Sequence, residues 1–246
     1  MDRHGYELRR VARCGSTNSL LLAEKSLARP VLLIADEQTA GRGRRGRRWH
    51  AAPGEGLTFS LALKLHRPLR ELAALPLVAG VAVARALHAL GVARAALKWP
   101  NDIVVDGAKL GGILVETKSL NGAVKAVIGV GINLRGAASL RTRLRREVAA
   151  LEQLITVPDP VAVAGAIGDA LLESLAAFEA HGLDAVRAEW ERLDAHAGQK
   201  LRVRLADGRL LTGVASGLEA DGALRLATRG GMRTVRSGRV INARLA

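Results

Sequence analysis

The chain has 246 residues, enough for one substantial domain and a smaller one, and 49% of them are apolar. Aromatic residues make up only 2%, so the core must be built from aliphatic side chains. The single cysteine excludes an internal disulfide and is typical of a reducing compartment. The longest apolar run, residues 72–90, is interrupted by Pro76, Arg85 and His88, and no signal sequence follows Met1. We therefore expect a cytoplasmic protein without a membrane span.

The net charge of +14 comes from 37 basic and 23 acidic residues, and only seven of the basic residues are lysines. This skew indicates a compositional preference for arginine, although a strongly positive chain also attracts nucleic acid. Where the chain keeps lysine, a compact ammonium group is indicated. Lys98 and Lys109 lie in the motifs described below. Lys118 and Lys125 lie outside every motif, so we expect them to tolerate replacement by arginine.

The N-terminal half predicts alternating helices and strands. Four local signals support this prediction: residues that cap helices, a fully apolar run, a segment rich in glycine and arginine, and a proline in the first turn of a helix. In chain order they predict a helix over 16–28, a buried strand over 31–35, a charged loop over 41–48, a strand over 57–65 and a helix over 76–90.

The C-terminal half begins with strands and ends with strands. Asp106-Gly107 and Asn121-Gly122 are hairpin signals, and later Asp-Gly and Gly-Gly pairs separate short apolar runs. The elements predicted here are strands at 103–105, 113–116 and 124–130, a mostly helical stretch over 138–194, and short strands at 201–205, 210–215, 223–227 and 233–235. These last strands predict a small β-barrel, so we divide the chain into domains at 1–196 and 197–246.

The charged loop matches neither standard nucleotide-binding loop. Gly41-x-Gly43-x-x-Gly46 follows a predicted strand, as a dinucleotide fingerprint would, but Arg-Arg-Trp at 47–49 replaces the apolar start of a helix. The same arginines stand where a P-loop requires Lys and Ser or Thr. Five arginines in seven positions therefore indicate either a solvated charge run or nucleic-acid patch, or a lid that orders over an anion.

Two further segments combine polar groups with glycines. Lys98-Trp99-Pro100-Asn101-Asp102 places a cation, an amide and a carboxylate at a turn that proline makes rigid. Such a cluster is either a salt-bridged turn or a ligand site, because burying it unpaired is costly. Lys109 precedes Gly111-Gly112, where a ligand could approach the backbone. The run Gly129-Val130-Gly131-Ile132-Asn133 either flanks a flat ligand or marks a bulge.

Taken together, these segments resemble the catalytic domain of the biotin–protein ligases, also called biotin–[acetyl-CoA-carboxylase] ligases. The matches occur in the family's order within residues 14–135. They are Ser-Thr-Asn at 16–18, Gly-Arg-Gly-Arg-Arg-Gly at 41–46 followed by Trp49, Lys-Trp-Pro-Asn-Asp at 98–102, Lys109 with Gly-Gly-Ile-Leu-Val-Glu at 111–116, and Gly-Val-Gly-Ile-Asn at 129–133.

The resemblance implies an α+β fold, with a mixed β-sheet flanked by helices and followed by a small SH3-like barrel. It implies an enzyme that uses ATP to convert biotin to biotinyl-5'-AMP and transfers biotin to a lysine of a biotin carboxyl carrier protein. Some family members carry an N-terminal helix-turn-helix domain. Because the first match begins near residue 14, we expect no such domain and no sequence-specific DNA binding.

The resemblance also assigns roles to individual positions. Lys109 and Arg44 would neutralise the reacting anions, and Asp102 would orient the acceptor amine. Biotin would be bound by Ser16, Thr17, Asn18, Gln38, Gly41, Arg42, Gly43, Arg44, Lys109 and Gly112. ATP and the adenylate would be bound by Arg45, Arg47, Trp49, Lys98, Asn101, Gly129, Gly131 and Asn133. No protein metal site is expected, because the six histidines are scattered; Mg²⁺ would rest on the phosphates of ATP.

Two alternatives stay open at this point. Lipoate–protein ligases share the fold and the chemistry, although the 41–46 and 98–102 segments favour biotin. A nucleic-acid-binding protein is the alternative of a different class, since residues 197–246 carry ten basic and three acidic residues. That region has no aromatic residue on which bases could stack, so an acidic acceptor domain is the simpler partner. A homodimer is left open.

Overall fold

A computed structural model describes residues 5–120 and 122–244; Asn121, predicted in a hairpin turn, lies outside them. Its larger part is a seven-stranded mixed sheet of order β1-β2-β3-β7-β6-β5-β4. The strands are β1 Glu7–Cys14, β2 Val31–Gln38, β3 Gly56–Leu65, β4 Ala95–Lys98, β5 Asp102–Val105, β6 Ala108–Leu120 and β7 Ala123–Asn133. Only β1 and β2 pair in parallel; every other neighbouring pair is antiparallel.

Helices cover both faces of this sheet, as the fully apolar run at 31–35 predicts. The helices are α1 Thr17–Ala23, α2 Leu75–Ala89, α3 Ala137–Leu144, α4 Pro160–His181 and α5 Arg187–Leu193. Leu32 of β2 belongs to the main core, whereas its neighbours Val31 and Leu33 pack in a second cluster with Leu21 of α1. Successive strand residues face opposite ways, so α1 lies on the face opposite the main core. The predicted fold class is confirmed.

Helix α1 is shorter than predicted. It ends at Ala23, because Glu24 has an extended ψ of 133° and leaves the helix. Leu27, which suggested a longer helix, is still buried, but it reaches the second cluster from the turn that precedes β2. Ser16 is the N-cap residue, yet its side chain makes no capping hydrogen bond. The apolar pattern therefore identified the buried side chains correctly and their backbone conformation only in part.

The sequence did not predict strands β1, β4 and β12, and the stretch at 138–194 is less helical than expected. Strand β1 has a polar sequence because it is an edge strand, whose side chains are all exposed or half-buried. Between α3 and α4, the segment 145–159 contains only a short 3-10 turn at Leu151–Gln153. This segment runs beside the candidate site, where its backbone pairs with Lys109.

The smaller part is a five-stranded antiparallel sheet of order β11-β10-β9-β8-β12. Its strands are β8 Lys200–Leu205, β9 Leu210–Leu218, β10 Leu224–Thr228, β11 Gly231–Val235 and β12 Gly238–Arg244. Trp99 donates a hydrogen bond from its indole Nε1 to the Gly222 carbonyl at 3.2 Å. The amide of Ala195 donates to the Leu97 carbonyl at 2.8 Å. These contacts join the second sheet, and the segment that leads into it, to strand β4 and the turn that follows it.

Two helical segments, Glu71–Ala89 and Pro160–Ala185, are long and apolar enough to cross a membrane by length and hydropathy alone. The first segment includes Arg85 and His88, which interrupt its apolar run as the sequence indicates. In the first segment 72% of the apolar window is buried, because α2 is a core helix that packs against α4 and the sheet. Burial inside the protein accounts for its composition.

Candidate active site

A cavity of about 300 Å³ opens where the larger sheet, the second sheet and the charged loop over 41–48 meet; we call this loop the arginine-rich loop. It collects most of the residues that the sequence singled out, although they come from segments more than a hundred positions apart. The predicted residues that line it are Ser16, Thr17, Asn18, Gln38, Arg42, Gly43, Arg44, Arg45, Arg47, Trp49, Lys98, Asn101, Asp102, Lys109, Gly112, Gly129 and Gly131. Gly41 and Asn133 do not line it.

One end of the cavity is a network of buried, uncharged polar side chains. Thr17 and Ser60 share a hydrogen bond of 2.6 Å between their hydroxyls, and Ser60 donates to Asn18 Oδ1 at 2.6 Å. The Gln38 side-chain oxygen accepts from the Thr17 amide at 2.7 Å and lies 3.1 Å from the Thr17 hydroxyl. Asn18 packs against Gly129, where a Cβ would lie 2.4 Å from its Oδ1. These groups are fixed in place and suit a neutral polar ring.

Glu116 links this network to the arginine-rich loop. Its Oε2 accepts one hydrogen bond from Asn18 Nδ2 and one from Arg42 Nη2, both at 2.8 Å. Glu116 closes the matched Gly-Gly-Ile-Leu-Val-Glu segment, yet sequence reasoning gave it no role. Ser60 was missed as well. A serine within the apolar run of β3 was the signal, because a polar side chain that is fully buried needs a partner.

The loop is held by contacts to several different elements. Besides Arg42, Arg44 donates to Asn101 Oδ1 at 3.3 Å, and Arg45 donates to Ser237 Oγ, between β11 and β12, at 2.9 Å. Arg48 donates to the Thr39 carbonyl at 3.0 Å. The guanidinium groups thus point in different directions, which reduces their mutual repulsion.

Trp49 closes the loop over the cavity. Its amide donates to the Gly41 carbonyl at 2.9 Å. Gly41 therefore shapes the loop but does not itself line the cavity. The indole lies on Gly131, where a Cβ would come within 2.4 Å of Trp49 Cε2. In the part of the chain that the structure describes, the buried indole Nε1 has no hydrogen-bond acceptor. The Lys109 Nζ lies 6.0 Å from the ring centroid.

Lys109 and Asp102 form an ion pair beside the cavity. The Lys109 side chain is only 17% exposed. Asn133 supports it from behind, because its Nδ2 donates to the Lys109 carbonyl at 3.1 Å and to the Ala149 carbonyl at 3.0 Å. Asn101 positions its own turn by donating to the Ile113 carbonyl at 2.7 Å.

The other end of the cavity is strongly cationic. Burial lowers the pKa of Lys109, and Asp102 only partly offsets this effect. Burial also lowers the pKa of Lys98. The pKa of Arg44 is lowered by burial and further by the charges of Arg45 and Arg47. Buried like charges are costly until an anion joins them. The arrangement therefore favours a polyanionic ligand beside the uncharged network.

The second sheet completes this cationic end. Arg239 of β12 lines the cavity, as does Arg146 from the segment before α4. Burial and the charges of Arg47 and Arg146 lower the pKa of Arg239. Neither residue was predicted, and no local motif marks them, since only the packing of the two sheets brings them to the cavity.

Comparisons with known proteins agree with the predicted resemblance. The Biotin/lipoate A/B protein ligase family matches residues 11–133, and the Biotin protein ligase C terminal domain matches residues 196–241. The biotin–[acetyl-CoA-carboxylase] ligase of Mycobacterium tuberculosis is 33% identical over 245 residues, covering 95% of this chain and 88% of the relative. The enzyme of that name from Paracoccus denitrificans is 32% identical over 247 residues, covering 94% and 98%.

Among solved structures, the chain is similar to the biotin protein ligase from Aquifex aeolicus in complex with biotin and ATP. The TM-score is 0.81 with 28% sequence identity, and the alignment covers 98% of this chain and 99% of that one. Family match, relatives and fold agree: the chain belongs to the biotin/lipoate A/B protein ligase family.

Proposed function

We propose that this protein is a biotin–protein ligase that uses ATP to form biotinyl-5'-AMP and then transfers biotin to a lysine of a biotin carboxyl carrier protein. One observation carries the proposal: a single cavity joins a buried, uncharged hydrogen-bonding network to a group of buried cations. The network suits a ureido ring, and the cations suit a carboxylate and phosphates. The names of the relatives and the biotin and ATP bound in the similar structure support this assignment.

In the first step a biotin carboxylate oxygen attacks the α-phosphorus of ATP. The new O–P bond forms as the bond to pyrophosphate breaks, and pyrophosphate takes the electron pair. Positioning the two anions and neutralising their charge supply most of the catalysis. We assign that role to Lys109 and Arg44, which both line the cavity and to which the resemblance gives it.

We assign the remaining cavity residues to the two substrates as the resemblance implies. Ser16, Thr17, Asn18 and Gln38 would hold the biotin ring, and Trp49 would pack on the adenine. The indole Nε1 of Trp49 needs a hydrogen-bond acceptor, which the nucleotide would supply. Gly41 and Asn133, which do not line the cavity, would act through Trp49 and Lys109.

Mg²⁺ would neutralise the triphosphate. Within residues 5–120 and 122–244, no group of three or more histidine, cysteine or acidic side chains forms a metal site. An ion that depends on substrate phosphates needs no such group, so the residues present are compatible with Mg²⁺ carried in by ATP.

In the second step the acceptor amine attacks the carbonyl carbon of the mixed anhydride. An amide bond forms, AMP leaves with the electron pair, and the proton lost by the amine passes to solvent. Asp102 would orient this amine with the carboxylate oxygen that does not contact Lys109. A loop closed over the adenylate would keep water from hydrolysing it.

The second sheet offers a surface for the acceptor. Its three acidic residues each pair with one arginine. Lys200, Arg202 and Arg204 alternate along the exposed face of β8, and Arg239 lies directly opposite Arg204. In the described chain none of these four cations forms a close ion pair, although the charge of Asp102 acts on Arg239 from a longer distance. This stripe is roughly 14 Å long and ends at the cavity, so we propose that it docks an acceptor whose face near the target lysine is acidic.

We further propose a catalytic domain at residues 1–196, an SH3-like domain at 197–246 and a cytoplasmic enzyme that does not bind DNA sequence-specifically. Binding to DNA should be weak and should decrease steeply with salt. A tight, salt-resistant complex with one duplex sequence would contradict this expectation. The proposal leaves a homodimer open, and analytical ultracentrifugation at assay concentration tests it.

The test of the function is incubation with ATP, Mg²⁺ and either biotin or lipoate, followed by mass spectrometry of the adenylates. We expect biotinyl-AMP, and then labelling of a carrier domain. Preferential formation of lipoyl-AMP would overturn the choice of substrate.

For the docking stripe, Arg202→Glu with Arg204→Glu should raise the KM for the carrier about tenfold, a typical effect of charge reversal at an interface. Adenylation should be unchanged, and Arg229→Glu with Arg233→Glu is the control of equal charge.

A further inference from the structure

Lys125 is a fully buried lysine outside the residues assigned above. It lies on β7 with 0% exposure, whereas its cross-strand neighbours Lys64 and Lys118 are both exposed. An ammonium group buried in this way is expensive unless its donors are satisfied. The structure overturns the expectation that Lys125 is a neutral position where arginine is tolerated.

The partners of Lys125 are the carbonyl groups at the end of α1. Its Nζ donates to the carbonyls of Leu21 at 2.9 Å, Leu22 at 3.1 Å and Glu24 at 2.6 Å. An ammonium has three N–H donors, so each one finds an acceptor. These carbonyls have no partner within the helix, and a cation beside them is also favoured by the helix dipole. Lys125 therefore takes the place of a C-terminal cap.

Helix α1 needs such support. It has seven residues, which is too short to be stable in isolation. Ser16 makes no side-chain capping bond at its start, and Glu24 leaves the helix at its end. Yet α1 carries Thr17 and Asn18, whose side chains form the uncharged network of the cavity. Asn18 lies about one helical turn before the carbonyl of Leu21.

We propose that Lys125 is a positioning residue for the biotin subsite: it holds the end of α1 so that Thr17 and Asn18 meet Ser60, Gln38 and the ligand. This inference rests on the proposed function. It also explains why an arginine-rich chain keeps lysine here. A planar guanidinium cannot direct its donors to three carbonyls that converge on one point.

The experiment compares Lys125→Met, which keeps the length of the side chain but removes the donors, with Lys118→Met. Lys118 lies directly opposite Lys125 and is exposed, so the control removes the same charge from the same row of the sheet. Three quantities are measured well below the melting temperature: the Kd for biotin by calorimetry without ATP, the KM for biotin, and the KM for ATP at saturating biotin.

We expect Lys125→Met to raise the Kd and the KM for biotin about tenfold or more, a loss of ~1.4 kcal/mol or more, with the KM for ATP within twofold of the wild type. Lys125→Arg should not restore biotin affinity, and Lys118→Met should match the wild type. A purely structural role would lower the melting temperature and the active fraction while leaving both biotin constants unchanged, and that result would overturn the proposal.

If Lys125→Met does not fold, Lys125→Gln takes its place, because glutamine keeps two donors and should give an intermediate loss of biotin affinity. Wild-type biotin affinity in that folded variant would equally overturn the positioning role. Biotin binding by the wild-type protein distinguishes a failure of the proposed function from a failure of the role of Lys125. Failure of the wild type to bind biotin would contradict the proposed function, whereas equal binding by wild type and variant would contradict only the role of Lys125.

Discussion

The two ends of the cavity hold their side chains by different means. At the biotin end, Thr17, Asn18 and Ser60 are at most 5% exposed and hydrogen-bond to one another on a helix and a strand. At the loop end, Arg42, Arg44 and Arg45 are each held by a single contact to a different part of the chain. Burial secures the geometry of a neutral subsite at low electrostatic cost. The arginines of the loop can exchange their single contacts for contacts to an anion, as expected of a lid that closes over a ligand.

The largest effect is expected at Lys109, in the cationic end of the cavity. Lys109→Arg keeps the charge, but its wider fork cannot replace a compact ammonium between two anions. The rate of biotinyl-adenylate formation should fall about 10²- to 10³-fold, a typical effect of removing a group that stabilises developing charge. Lys109→Ala should be at least as slow.

The matched control for Lys109→Arg is the exposed Lys118→Arg, which should be normal in rate and in thermal melting. This control replaces Lys125, whose burial makes it unsuitable. If Lys109→Arg adenylates at a near-normal rate, only charge matters at this position, and the cationic end is less specific in shape than we infer.

The next effect tests the biotin end. Ser60→Ala removes the hydroxyl that joins Thr17 to Asn18 and leaves buried groups unsatisfied, which costs about 1–3 kcal/mol. We expect the KM for biotin to rise about tenfold or more, with little change in the KM for ATP. Ser216→Ala in the second sheet is the control. An equal rise in both KM values would show that the two ends are not separate.

A smaller effect is expected at the loop end. Arg44→Ala should weaken retention of the adenylate about tenfold, the loss expected for one hydrogen bond to a charged group, while biotin affinity changes less. Released adenylate should then label lysines indiscriminately, which mass spectrometry of a mixed protein sample would detect. Arg229→Ala removes an exposed charge from the second sheet as a control. Labelling that stays restricted to the carrier would contradict the role as a lid.

The smallest expected effect is on the free energy of unfolding, and it comes from a buried carboxylate that contacts no ligand. Asp194, at the junction of the two sheets, has its pKa raised to about 6 by burial, with Glu191 adding to the effect and the amide of His196 opposing it. The unfolded carboxyl ionises near pH 4, so this residue costs stability as the pH rises from about 4 to 6. The full penalty applies above pH 6.

Asp194→Asn should therefore stabilise the protein at pH 7 by about 1–3 kcal/mol, the equivalent of one to two units of pKa. The gain should disappear below pH 4, where the carboxyl is protonated in both states. Urea unfolding at the two pH values measures this difference. Asp207→Asn, at an exposed site, is the control. A gain that is equal at both pH values would show that burial of the charge is not its cause.

Local patterns predicted much of the fold. The apolar run at β2, the proline at the start of α2 and the Asp-Gly turn before β6 each produced the expected element, since a strand covered on both faces, a first helical turn and a tight hairpin are short-range features. Strand β1 and the end of α1 were missed. An edge strand buries too little for an apolar pattern, and α1 ends where Lys125, a hundred positions away, donates hydrogen bonds to carbonyls at its end.

The sequence by itself determined the chemistry of the candidate site, because contiguous segments carry most of the cations, amides and glycines that line the cavity. The tertiary structure alone decided how these groups are held. Ser60 and Glu116 became the links of the network, Arg146 and Arg239 joined the cationic end, and Lys125 became the support of α1. The physical reason is that the chemistry of a side chain is local, whereas its burial and its hydrogen-bond partners depend on strands and helices that are distant along the chain.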